Sequence, residues 1–415
     1  MEPLLFLAHR IPYPPDKGDK IRSFHLLRHL AARHRVFLGT FVDDPADRRH
    51  VAALQALCAD VCALPLAPRR RRIASLAGFA TGEALTLPYY RSAALQRWVD
   101  ATVAREGIRR GFVFSAAMAQ YVLAHAGMRR VLDLVDVDSE KWRQYAAGRR
   151  GPAAWVYRRE ADRLLRFEAA AAGAFDASLL VTAAEKALFA ARAPGAAARV
   201  HVVANGVDGA HFAPDAALPR PFARDELPVV FTGAMDYWPN VDAACWFASA
   251  VLPAVLRAHP RARFHVVGMN PLPAVQALAR DPAVAVTGRV PDTRPYLQHA
   301  AVVVAPLRIA RGVQNKVLEA MAMQRPVVAS AECAAALTAV PGAELLVAAN
   351  AGEFAAHVSR TLAGERPGLG EAARARVLGD YPWTRSLELV ARLVDGAAAP
   401  APAGAGRPTG ALRAA

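Results

Sequence analysis

Residues 311–330, "RGVQNKVLEAMAMQRPVVAS", place a lysine and a glutamate three apart, Lys316 and Glu319, inside an otherwise apolar helical pattern. Val313, Val317 and Met321 recur every fourth position with Leu318 alongside, the stripe of a core-facing helix. One reading of the two charges is an ion pair on a solvated face, worth about 0.2–0.5 kcal/mol. The other is a cation and a carboxylate projecting from one helical turn toward a ligand.

Two more stretches carry residue types suited to chemistry. "HRIPYPPDKGDKIRSFHLLRHL" (9–30) follows an apolar strand and puts Gly18 at the entrance to a helix whose apolar face is Ile21, Phe24, Leu27 and Leu30. A glycine there lets backbone N–H groups approach a phosphate, with the helix N-terminus and Lys17, Lys20 and Arg22 adding positive charge. The spacing is neither G-x-x-x-x-G-K-[ST] nor G-x-G-x-x-G, so a plain turn is the alternative. "DLVDVDSEKW" (133–142) sets Asp136 and Asp138 two apart, either a pair of acids at a strand end or a helix cap with Asp138 or Ser139 as N-cap. His25, His125 and His265 read as core or surface residues. Cys58, Cys62, Cys245 and Cys333 have no metal-ligand spacing and read as small hydrophobes in a reducing compartment.

The elements that must position these residues form two runs of strand and helix, the rhythm of parallel sheets. The first run has strands at 4–8, 36–41, 60–64, 112–114, 130–135, 177–181 and 201–203, with helices between them over 21–32 and, as one long element, about 139–172. "PDAALPRPFARDELP" (214–228) reads as a linker. The second run has strands at 228–233, 263–268, 284–288, 301–306 and 326–330, with one helix through "NVDAACWFASAVLPAVLRAH". Near-continuous Val/Ala runs are the signature of strands buried on both faces. The expected fold is α/β: two Rossmann-like doubly wound domains facing across a cleft. Residues 1–213 form the first domain, 214–228 the linker and 229–380 the second. Residues 381–395 form a helix that packs back on the first domain, and 396–415 a disordered tail. Ligands of such domains bind at the carboxyl ends of the strands.

The chain has 415 residues, of which 54% are hydrophobic and 21% charged, which excludes a disordered protein. Of the net charge of +15, about +12 sits in the first 200 residues, with 31 lysines and arginines against 19 acids. That favours phosphate-bearing ligands or an anionic bilayer, although a GC-rich genome writing arginine on solvated faces explains much of it. Aromatics do not interleave with the basic runs, which disfavours nucleic acid. "PRRRRIASLAGFATG" (68–82) joins a basic run to Ile73, Leu76 and Phe79, either an interfacial anchor or a solvated loop and helix. With no signal peptide and no apolar run near 20 residues, the expectation is a cytoplasmic protein, peripheral to the inner face of the membrane if the anchor reading holds.

Asn205, Gly206, Val207, Asp208, Phe212 and Pro214 in "VVANGVDGAHFAP" (202–214) carry a resemblance to the NGVD…F-P signature of family-four retaining glycosyltransferases of GT-B architecture. Glu319 matches that family's second glutamate, and "AMA" (320–322) and "PVVAS" (326–330) match the strings next to it, whereas Arg311 stands where the family has its first glutamate. The resemblance spans about 1–395 and looks like the sugar transferases of exopolysaccharide and exosortase/PEP-CTERM protein-sorting systems in Gram-negative bacteria.

The resemblance implies transfer of a sugar from a nucleotide-diphosphate sugar to a saccharide or lipid-linked saccharide, with retention, no metal and no further cofactor. It implies Lys316 and Arg308 as cations for the departing diphosphate, a case of preorganised electrostatic stabilisation. Glu319 would accept from the ribose hydroxyls, with Gly312, Asn315 and Gly18 lining the donor site. The family's Arg and Lys after the first strand of the second domain are missing from "FTGAMDYWPNVDA" (231–243), so Arg308 and Arg311 would stand in for them. Arg289 and Val290 in "GRVPD" (288–292) fall where the family holds the base. Asp136 lies near the place of the family's cleft histidine and would orient the acceptor or take its proton; the D-x-D metal motif it mimics belongs to a different fold. Two alternatives stay open: a GT-B nucleotide-sugar epimerase and a degenerate binding module.

Overall fold

The computed structural model describes residues 1–310 and 312–397. Arg311 and the expected tail from residue 398 onward lie outside the described residues. Two all-parallel sheets organise the chain. The first has seven strands: β1 (Pro3–Ala8), β2 (Arg35–Val42), β3 (Asp60–Pro65), β4 (Arg110–Phe114), β5 (Arg129–Val135), β6 (Ala177–Leu180) and β7 (Val200–Val202). Their order is β3-β2-β1-β4-β5-β6-β7. The second has six: β8 (Leu227–Thr232), β9 (Ala262–Val267), β10 (Val284–Gly288), β11 (Val302–Ala305), β12 (Val327–Ser330) and β13 (Leu346–Ala348), ordered β10-β9-β8-β11-β12-β13. Helices cover both faces, so central strands such as Leu4–Ala8 and Val302–Ala305 are buried throughout, as continuous apolar runs require. This is the doubly wound pair that the sequence predicts.

Four details depart from the sequence expectations. The long helix divides into Asp138–Ala147 and Pro152–Ala174, because Gly151 adopts φ +70° and Pro152 starts a new helix. The helix after β8 runs from Trp238 but is interrupted by a π turn at Phe247–Val251, just before Pro253. Over Trp238–Ala258 it is long and apolar enough by composition to cross a bilayer, a length the sequence reading missed, yet Ala243, Phe247, Val251 and Val255 face the second domain's core. Residues 214–228 are no free linker: Phe222 is buried in that same core against His265, which is bonded to Glu226.

The chain crosses between domains twice. Helix Leu369–Asp380 packs on the second domain through Ala373 and Val377. Helix Trp383–Asp395 returns to the first, laying Trp383, Leu387, Val390, Leu393 and Val394 against Leu4, Phe6 and Leu27. The "NGVD" string lies at this double crossing. Val207 N–H donates to the Tyr381 carbonyl at 2.8 Å, and a Cβ on Gly206 would stand 2.8 Å from Trp383, so only glycine fits.

Candidate active site

Each sheet reverses its strand order once, between β1 and β4 and between β8 and β11, and residues just past those strand ends form the two walls of a cleft. On the second domain, Gly233 follows directly on β8 and β11 leads to Arg308. Helix Asn315–Ala322 then starts with no side-chain cap at Gln314, leaving its first N–H groups pointing toward the cleft.

Lys316 occupies a pocket at this wall. Its Nζ donates to Asn240 Oδ1 at 2.6 Å and lies 4.4 Å from the centre of the Phe231 ring. The amide of Asn240 is oriented by its own Nδ2 donating to the Ala234 carbonyl at 2.9 Å. A Cβ on Gly233 would stand 2.9 Å from Lys316 Nζ and 2.8 Å from Asn240 Nδ2, so the strand-end glycine makes the room the ammonium uses. Burial pushes Lys316 down to about 8, with Cys333 and Glu319 opposing, and pushes Glu319 up to about 7, with Lys316 opposing. Among the described residues the Glu319 carboxylate has no hydrogen bond and closes no ion pair with Lys316. The solvated i,i+3 pair is therefore not what forms. Two half-desolvated charges stand side by side, one aimed and one with its acceptor oxygens open.

The opposite wall meets this one closely. Asn205 Nδ2 donates to Asn315 Oδ1 at 3.2 Å, and a Cβ on Gly18 would come 4.0 Å from Asn315 Nδ2, a buried donor with no partner among the described residues. The helix Gly18–Ala31 likewise begins without a side-chain cap, so two helix N-termini converge on one space. Arg22, 1% exposed, braces the wall: Nε and Nη2 reach Asp133 at 2.8 and 3.2 Å, and Nη1 reaches Asn205 Oδ1 at 3.0 Å. Asp136 lies past β5 against the second domain, where a Cβ on Gly312 would stand 3.0 Å from its Oδ1; Gly312 itself has φ +62°. Val135 has φ +68° and Ser115 φ +80°, so two non-glycine residues hold left-handed backbone at the ends of β5 and β4. Lys141 reaches across to within 6.0 Å of the Tyr237 ring.

The predicted residues thus fall into groups. Gly18, Asn315, Lys316, Glu319, Gly312 and Asp136 come together. Arg308 lies on the same wall, but its guanidinium is engaged by both oxygens of Asp242, so it is not a ready cation. Arg289 is bonded across the cleft to Asp16 at 2.9 Å, and Val290 packs partly buried beside the second domain's core. Among the described residues no three His, Cys, Asp or Glu gather, so Asp136 and Asp138 acquire no third partner of that kind.

Sequence reasoning passed over Asn240, Gly233 and His9. His9 comes directly after β1 and faces Asp19 at 3.5 Å, its ring stacked on Phe114 at 5.8 Å and edge-on to Tyr90 at 5.7 Å. Burial raises Asp19, but the His9 hydrogen bond and the Arg10 guanidinium outweigh it and hold the carboxyl well below the usual range. A histidine one residue past a central strand, at the switch point, was the available signal.

Residues 226–364 match the profile of the family described as "Glycosyl transferases group 1". Comparison with curated proteins gives no match. In structure the chain is similar to sucrose-phosphate synthase from Thermosynechococcus elongatus, with TM-score 0.70 and 19% identity over 95% of this chain and 99% of that one. It is similar to Anabaena HepE in complex with UDP-glucose, TM-score 0.66 and 14% identity over 95% and 100%. The same holds for WaaG, a glycosyltransferase involved in lipopolysaccharide biosynthesis, TM-score 0.66 and 16% identity over 95% and 100%. The matched span, about a third of the chain, holds the whole second sheet, and the chain as a whole has the GT-B fold of these structures.

Proposed function

We propose that the protein transfers a sugar, with retention and without a metal, from a nucleotide-diphosphate sugar to a saccharide or lipid-linked saccharide acceptor in exopolysaccharide synthesis. Lys316 carries the reading: an ammonium held between Asn240 and Phe231, at an uncapped helix N-terminus, beside a carboxylate with open acceptor oxygens. As the bond from the sugar's anomeric carbon to the β-phosphate oxygen breaks, the phosphate gains charge, and Lys316 with the helix N–H groups neutralises it. Glu319 accepts from the ribose hydroxyls, and the Gly18 turn and Asn315 Nδ2 supply further donors to the diphosphate. The acceptor hydroxyl bonds to the anomeric carbon and loses its proton toward the first-domain wall, where Asp136 and His9 stand. Uridine is the first base to test, since HepE binds UDP-glucose.

Thermal shift across a panel of nucleotide sugars tests the donor site. A ligand at 100 times its dissociation constant should stabilise by about 2.7 kcal/mol. A chain that shifts with no donor and hydrolyses none is a binding module instead, a reading favoured only by Arg308 being engaged with Asp242.

A further inference from the structure

Large apolar side chains left in solvent gather on one face of the first domain. Ile73 is 71% exposed, Leu76 55%, Phe79 39% and Trp155 55%. The first three come from helices Pro68–Ser75 and Ala77–Thr81 and the turn between them. Trp155 comes from the long helix and stacks on Phe79, rings nearly parallel at 6.0 Å. Arg159 locks the arrangement: its guanidinium lies 4.8 Å over Phe79 and donates to the carbonyls of Gly78 and Glu83 at 2.5 and 3.0 Å. The patch is therefore built, not frayed. Around it stand Arg69, Arg70 and Arg72 on the same short helix and Arg158 one turn beyond Trp155, all exposed and none in an ion pair among the described residues. Ser75 and Gly78 point the other way, into the domain.

Apolar side chains rimmed by unpaired arginines match the boundary of an anionic bilayer, where rings and aliphatic groups enter the acyl border and guanidinium groups meet lipid phosphates. We propose that this face seats the protein on an anionic membrane and delivers a lipid-linked acceptor to the cleft. The second half of that statement rests on the glycosyltransferase reading above. The route is short: the Arg71 guanidinium donates to the Arg91 carbonyl, Arg91 adjoins Tyr90 in the chain, and Tyr90 meets His9 at the cleft wall. Helix Pro68–Ser75 itself leaves the carboxyl end of β3, the edge of the sheet that faces the cleft. The chain's basic excess also lies in its first 200 residues, on the domain that would touch lipid.

The test is co-sedimentation of the full chain with vesicles of phosphatidylcholine alone and of phosphatidylcholine mixed with phosphatidylglycerol. Wild type should partition onto the anionic vesicles and be released as salt rises. The variant R69Q/R70Q/R72Q should lose on the order of a hundredfold in partitioning, about fivefold per charge. The variant I73S/L76S should bind about tenfold more weakly at any salt concentration. Both should keep the wild-type Tm and nucleotide-sugar thermal shift, since neither touches the cleft. Equal binding to neutral and anionic vesicles, wild-type partitioning by both variants, or retention on nucleic acid with none on vesicles each overturns the seating. Vesicle binding without any donor shift would leave the seating intact and sink the transferase reading. A donor shift without vesicle binding does the reverse.

Discussion

The two cleft walls end their sheets in different ways. On the second domain the strand-end residues are small, Gly233 and Gly268, with backbones so close that a Cβ on Gly268 would fall 1.6 Å from the Gly233 carbonyl oxygen. The space so made holds a single desolvated ammonium. On the first domain the strand ends carry side chains in ionic contact and backbone under strain: His9 and Arg10 with Asp19, Val135 and Ser115 in left-handed conformation. A fixed charge in a tight socket suits a ligand part that never varies, such as a diphosphate. Polar side chains at strained strand ends suit positioning a hydroxyl. The difference teaches that the second-domain wall is specified by absence of side chains and the first-domain wall by their presence.

Breaking the socket should have the largest effect. Lys316→Ala should lower kcat by about 10²–10³, as loss of one preorganised donor to a developing oxyanion does. Single-turnover kinetics checks this, and wild-type turnover would end the assignment. Gly233→Ala should come close behind, because its methyl displaces the ammonium or Asn240; thermal shift should still report a folded protein.

Glu319→Gln sharpens the contrast through pH. Lys316 is charged below about 8 and Glu319 above about 7, so kcat/KM should be bell-shaped with limbs near those values. Glu319→Gln should remove the acidic limb and raise KM more than it lowers kcat. The same shifts set the sign for stability. A base lowered on folding makes the native state bind fewer protons, so Lys316 costs stability below about 8 and the cost fades as pH rises above that. Glu319, raised on folding, costs stability above about 7 and the cost fades as pH falls. Between 7 and 8 both costs stand, so Lys316→Met should raise Tm of the ligand-free protein by a few degrees at neutral pH while ending turnover.

The smallest effect lies on the other wall. Val135→Gly relieves a left-handed valine and should change stability by less than about 1 kcal/mol. Val131→Ala, in the core part of the same strand, should cost about 2 kcal/mol or more. Equal losses at the two positions would mean that the strain at Val135 is not real.

The strands were legible because burial on both faces writes unbroken Val/Leu/Ala runs, and even their edges fell within two residues. The three-residue β13 went unread although the apolar run Leu345–Ala349 carries it. Gly148–Pro152 was read through because a helical stripe resumes beyond it. Within the site, Lys316, Glu319 and Gly312 share one local string and could be read together. Asn240 lies 76 residues from the ammonium it receives, and Asn205 lies 110 from the asparagine it grips, so their roles exist only after folding. Arg308 shows the converse: a cation in the right string is taken up by Asp242 from another helix.

Helix Trp383–Asp395 gives the molecule an awkward birth. The apolar face made by Leu4, Phe6 and Leu27 emerges from the ribosome more than 350 residues ahead of the helix that covers it. At about 5–20 residues per second, roughly 20–70 s of synthesis pass with that face bare. During that interval the growing polypeptide is a natural client for a holdase, and truncation before Trp383 should leave a nascent domain that aggregates although every residue of its sheet is present.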